Sequence, residues 1–77
     1  MLDEQEIRRL LLATAARDVD AFARLYERCA PLLLGVAQRI TRRRELAEEV
    51  LHDSFTRIWR AADSFDPFGA PVGWMTT

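Results

Sequence analysis

Lysine is absent from this chain of 77 residues, cysteine and histidine occur once each, as Cys29 and His52, and glycine and proline number three apiece. A single cysteine cannot close an internal disulfide. With one histidine beside it, it also falls short of the roughly four ligands of a structural zinc site, so no metal or cofactor is implied. Turn residues are too few for a β-sandwich or barrel, while a hydrophobic fraction of 49% excludes a disordered tail. No apolar run approaches the roughly 20 residues of a membrane span, and the acidic start Met1-Leu2-Asp3-Glu4 is unlike a signal peptide, so the chain reads as soluble, cytoplasmic and without membrane insertion. The length holds one small domain at most. A multi-domain enzyme is thereby excluded, and neither a nucleophile paired with a base nor a phosphate-cradling glycine loop is present to suggest catalysis.

What is present is arginine, in blocks. All eleven basic residues are Arg, and the formal net charge is only -1. Residues 21 to 44 carry six Arg against one Glu, residues 45 to 53 carry four acids and no base, and Arg57 and Arg60 follow. The neutral total conceals alternating charge. Fixed, planar guanidinium groups suit carboxylate or phosphate partners, although charge blocks also arise on plain solvated helix faces.

The apolar periodicity predicts an all-α fold, a small three- to four-helix domain. Asp3 and Glu6 have the form of a capping box, and Ile7, Leu10, Leu11 and Ala15 recur at helical spacing, which predicts a helix over 4–16. Asp18 caps a second helix with Ala21, Phe22, Leu25, Tyr26 and Cys29 on one stripe. Pro31 predicts an interruption, with a bend near 29–31 and a restart that has Pro31 in its first turn, and Leu32, Leu33, Val36, Ala37 and Ile40 continue the apolar face to about residue 42. A third helix is predicted over 45–62, with Leu46, Ala47, Val50, Leu51, Ser54, Phe55, Ile58 and Ala62 as its apolar stripe. A loop over 63–70 follows, and Pro71 suits the first turn of a helix beginning at 71–77.

With these segments placed, the chain resembles the region-two domain of an extracytoplasmic-function sigma factor, of the sigma-70 family. Asp18-x-x-Ala21-Phe22-x-x-Leu25-Tyr26 resembles the family's opening pattern. The run from Ala47 through Asp53-Ser54-Phe55 to Ile58-Trp59 resembles its polymerase-binding helix, and Ser64-Phe65-Asp66-Pro67 with Gly73-Trp74-Met75 resembles its minus-ten loop and melting helix. His52 stands where the family more often has Gln. The chain stops early in the melting helix, so the resemblance implies the front part of a longer protein.

The resemblance implies a transcription initiation factor, without enzymatic activity, that binds core RNA polymerase at the β′ clamp helices and recognises and melts the minus-ten promoter element, holding its non-template strand. Glu49, His52, Asp53 and Thr56 recur at spacings of three and four, so they share one helix side opposite the core stripe; the polymerase-binding role falls to them and to Glu48. DNA binding falls to Arg57, Arg60, Phe65, Phe68 and Trp74, since a separated strand needs flat side chains for stacking and Arg for phosphates. Among the aromatics, Phe65 reads more as an anchor for the loop. Phe68, between Pro67 and Gly69, is the better candidate to touch a base, and Trp74 suits either role. An anti-sigma factor is a further implied partner. The competing reading is a helical protein-interaction or dimerisation module with no nucleic-acid role, favoured by the neutral net charge.

Overall fold

The structure, a computed structural model, describes residues 2–76. Four α-helices follow in order: α1 Glu4–Ala15, α2 Val19–Thr41, α3 Arg44–Ala61 and α4 Pro71–Thr76, with a 3-10 turn at Ala62–Ser64. No strand occurs among the described residues, and the all-α expectation holds. The first and last residues of the predicted domain, Met1 and Thr77, lie outside the described residues, Thr77 being the last position of the predicted melting-helix segment.

Helix starts follow the local chemistry. The Asp3 carboxylate accepts from the Gln5 and Glu6 amides at 3.0 and 3.4 Å, and Asp18 accepts from the Ala21 amide at 3.1 Å. The reciprocal half of the expected capping box is missing. Glu6 instead pairs with Arg28 on α2 at 3.5 Å, because a longer-range cation competes for its carboxylate. Pro71 opens α4 as expected, where its missing N–H is no loss.

The interruption and restart expected at Pro31 do not occur, since α2 runs as one helix of 23 residues with Pro31 inside it. A proline there costs about 3 kcal/mol through the lost hydrogen bond and the clash with the preceding turn. Leu25, Cys29, Leu33 and Ala37 are buried at successive four-residue steps on either side of it. Each large apolar side chain so buried contributes about 1.5–3 kcal/mol, which together outweighs the proline, whose ring faces solvent.

The core joins Ile7 and Leu11 of α1, Leu25, Cys29 and Leu33 of α2, Leu51, Phe55 and Ile58 of α3, Ala62, Phe65 and Met75. Thr14 is fully buried on α1, its hydroxyl donating to the Leu10 carbonyl at 2.7 Å. The apolar stripes are narrower than expected. Leu32, Val36 and Ile40 of α2 and Leu46 and Val50 of α3 are exposed, Ile40 by 77%. Val36, Ile40 and Val50 line a hollow between α2 and α3 that Met75 and Thr76 of α4 also border.

Candidate functional site

The long helix α3 carries both sets of predicted site residues. Its stripe of Ala47, Leu51, Phe55 and Ile58 points inward, so the 3.6-residue period turns Glu45, Glu48, Glu49, His52, Asp53 and Thr56 outward, and all six are exposed. The first five line one shallow concavity. Glu48 is held by Arg44 at 3.1 Å one turn away, and the Thr56 hydroxyl donates to the His52 carbonyl at 3.1 Å. Glu45, Glu49 and Asp53 have no ion pair among the described residues, which leaves three uncommitted carboxylates toward the N-terminal half of the helix. Arg44 is thereby accounted for structurally. Arg42 likewise closes α2 in a left-handed conformation at φ 59°, its amide on the Gln38 carbonyl at 2.8 Å.

His52 and Thr56 also border a second surface that the sequence did not disclose, an aromatic groove between α2 and α3 lined by Val19, Phe22, Tyr26, Phe55 and Trp59. Its rings form a ladder: Tyr26 to Phe55 at 4.7 Å, Phe55 to Phe22 at 6.1 Å and Phe22 to Trp59 at 5.1 Å between centroids. Arg17 caps the ladder, its guanidinium 5.1 Å from the Trp59 ring and donating to the Trp59 carbonyl. Tyr26 was expected on the core stripe. It stands instead on the rim, because α2 buries the line Ala21, Leu25 and Cys29 and turns Val19, Phe22 and Tyr26 toward α3. The three-, four- and seven-residue spacing of those three was the available signal.

Toward its C-terminus α3 turns positive. Arg57 and Arg60 are exposed, and Arg57 lines a small hollow with Ile58, Ala61, Ser64, Trp74 and Met75. Arg57 and Trp74 therefore border the same hollow. Arg60, one turn on, is not among the lining residues. The three aromatics divide. Phe65 is 5% exposed and meets the half-buried Trp74 edge-on at 5.6 Å, so its ring packs inward at the start of the loop. Phe68 is 95% exposed at the tip of a turn. That turn is closed twice, by the Gly69 amide on the Asp66 carbonyl at 2.8 Å and by the Phe68 amide on the Asp66 carboxylate at 3.0 Å. A large apolar ring is thus held in water by a defined backbone.

Burial without any polar partner pushes the Cys29 thiol from its ordinary 9.0 up to about 11, so it is a small core hydrophobe rather than a nucleophile. No cluster of metal-ligating side chains occurs among the described residues, and none of their helices is long and apolar enough to cross a membrane.

Comparison with known proteins bears on the same segments. The family model for sigma-70 region 2 matches residues 25–77. A protein named ECF RNA polymerase sigma factor SigK from Mycobacterium sp. (strain KMS) is 42% identical over 69 residues, 88% of this chain and 36% of that protein. Proteins of the same name from Mycolicibacterium vanbaalenii and Mycobacterium tuberculosis are 33% identical over 73 residues and 30% over 69, covering 94% and 88% of this chain and 37% of each relative. The chain thus spans a little over a third of the length of these relatives. No solved structure matches it.

Proposed function

The chain belongs to the sigma-70 region 2 family, and from that premise we propose that it is the part of a transcription initiation factor that docks on core RNA polymerase and captures the opened minus-ten element of a promoter. Glu48, Glu49, His52, Asp53 and Thr56 receive the β′ clamp helices of the polymerase, the free carboxylates pairing with cations of that partner. Arg57 and Arg60 neutralise phosphates of the non-template strand, while Phe68 stacks on an unpaired base and Trp74 backs the hollow beside Arg57. Phe65 is the loop's anchor. No bond is made or broken: strand opening is driven by binding, with stacking of about 1–3 kcal/mol per captured base set against a few kcal/mol for unstacking it. An anti-sigma factor that covers these surfaces, and residence in the cytoplasm with the polymerase, belong to the same reading.

The observation that carries the proposal is Phe68, a ring 95% exposed on a turn that is itself fixed by two hydrogen bonds. A ring so placed can stack on a base without first being unpacked from the core. The test is a titration of a labelled minus-ten oligonucleotide, single-stranded and duplex, at several salt concentrations, with and without core polymerase. Single-stranded binding is expected first, with a log–log salt slope of about -1.4 for two phosphate contacts. Tight duplex binding by the chain alone would contradict the proposed division of labour. Absence of single-stranded binding even beside polymerase would favour the protein-interaction module.

A further inference from the structure

Helix α1 precedes the residues matched by the family model, yet it holds the loop that carries Phe68. Arg8, half-buried on α1, donates through Nη2 to the Gly69 carbonyl at 3.0 Å, 61 residues along the chain, and through Nη1 to the Gln5 side chain at 3.0 Å. Its Nε is buried with no hydrogen-bond partner. Such an arrangement is a poor source of stability, because a desolvated N–H left unpaired works against the bonds made by the rest of the group. What it supplies is a fixed point. The turn Asp66–Gly69 is rigid within itself, closed by the Gly69 and Phe68 amides on Asp66, and Phe65 anchors its start in the core. The far end is tied to the helical body through the Gly69 carbonyl, next in sequence to Phe68.

We propose that Arg8 is a positioning residue that sets the direction in which Phe68 is presented, so that α1 contributes to capture of an unpaired base without touching DNA. The inference rests on the proposed reading of the loop as a single-strand contact. With the tie removed, Phe65 still anchors the loop, but Phe68 samples more orientations, and the ordering must then be supplied on binding. Arg8→Met keeps the aliphatic packing and removes every donor. It is expected to weaken single-stranded minus-ten binding by the full chain about 3- to 10-fold.

Three further measurements separate positioning from other roles. In a Phe68→Ala background, Arg8→Met should cause no further loss, because the residue acts through that ring. The salt slope should not change, whereas loss of a direct phosphate contact would reduce it by about 0.7. Arg8→Lys, which keeps one donor for the Gly69 carbonyl, should bind within about twofold of the parent. If Arg8→Met loses its helical signal, Arg8→Gln, too short for the tie, takes its place in the cycle. Parent-like binding by the untied variant, additive losses in the double variant, or a shallower salt slope would each overturn the positioning role while leaving the proposed function intact. A parent chain that binds no single strand would overturn both.

Discussion

Phe65 and Phe68 lie three residues apart, are chemically identical, and are 5% and 95% exposed, so truncating each should produce opposite phenotypes. Phe65 packs edge-on against Trp74 and joins the core cluster with Ile58, Ala62 and Met75. Replacing it by Ala removes the transfer energy of a whole ring and leaves a cavity, at a cost of about 3–5 kcal/mol. A domain of this length has roughly 4–12 kcal/mol of stability in all, taking about 0.05–0.15 kcal/mol per residue. Phe65→Ala therefore consumes a quarter or more of the total, and the chain is expected to be partly unfolded near physiological temperature. Phe68→Ala removes almost no buried surface, and its stability should stay within about 0.5 kcal/mol of the parent. Its loss appears on DNA instead: forfeiting one base stack of about 1–3 kcal/mol weakens single-stranded minus-ten binding about 5- to 150-fold. Denaturant unfolding followed by circular dichroism gives the first quantity, and anisotropy of a labelled oligonucleotide gives the second. The reasoning fails if Phe68→Ala binds the strand like the parent, or if it destabilises the fold by several kcal/mol.

Pro31→Ala should stabilise the domain by about 2 kcal/mol, the restored helical hydrogen bond being partly offset by a more flexible unfolded chain; an unchanged or lower melting temperature would contradict the account of α2. Because the buried Cys29 thiol titrates near 11 rather than 9.0, the folded state holds a proton there that the unfolded state has released, so its contribution is complete below pH 9 and is lost as pH rises toward 11. Stability should fall by about 2–3 kcal/mol more across that window in the parent than in Cys29→Ala, read from urea midpoints at each pH. Arg57→Ala should lower the salt slope of single-strand binding by about 0.7 with little effect on folding, and an unchanged slope would remove Arg57 from the phosphate contacts.

Local signals made most of the fold legible. Asp3, Asp18 and Pro71 mark helix starts within two or three residues of the groups they serve, and the outward side of α3 follows from its inward stripe by periodicity alone. The candidate polymerase face was therefore readable as a set, as was the division between Phe68 and Phe65, once Pro67 and Gly69 were seen to leave Phe68 little to pack against. Features set by the relation between helices were hidden. Pro31 continues α2 because residues on both sides of it are buried by neighbours. Tyr26 reaches the rim because of where α3 crosses α2. The Glu6 and Arg8 partners lie 22 and 61 residues away, and no spacing rule connects them.

The two surfaces proposed for α3 want partners of opposite charge, and a single helix can serve both only if they do not cancel. At 1.5 Å per residue, Glu49 and Arg57 are about 12 Å apart, about one and a half times the Debye length of about 8 Å at physiological salt, so each end is largely screened from the other. The order also follows the helix dipole, with acids toward the N-terminus and Arg toward the C-terminus. Asp53 sits at the boundary, exposed and one turn from Arg57. Asp53→Arg moves that boundary toward the N-terminus and changes the net charge from -1 to +1. Against a cationic partner the reversal juxtaposes like charges, and core-polymerase affinity should fall about 10- to 100-fold. Against single-stranded DNA the same change adds a cation beside Arg57, so affinity at low salt should rise and the salt slope steepen by up to about 0.7. Helix content should not change, because both side chains at residue 53 are solvated. Opposite movement of the two affinities would be the signature of segregated surfaces. Parallel loss of both would mean that residue 53 acts through the fold, and unchanged polymerase binding would remove Asp53 from the docking face.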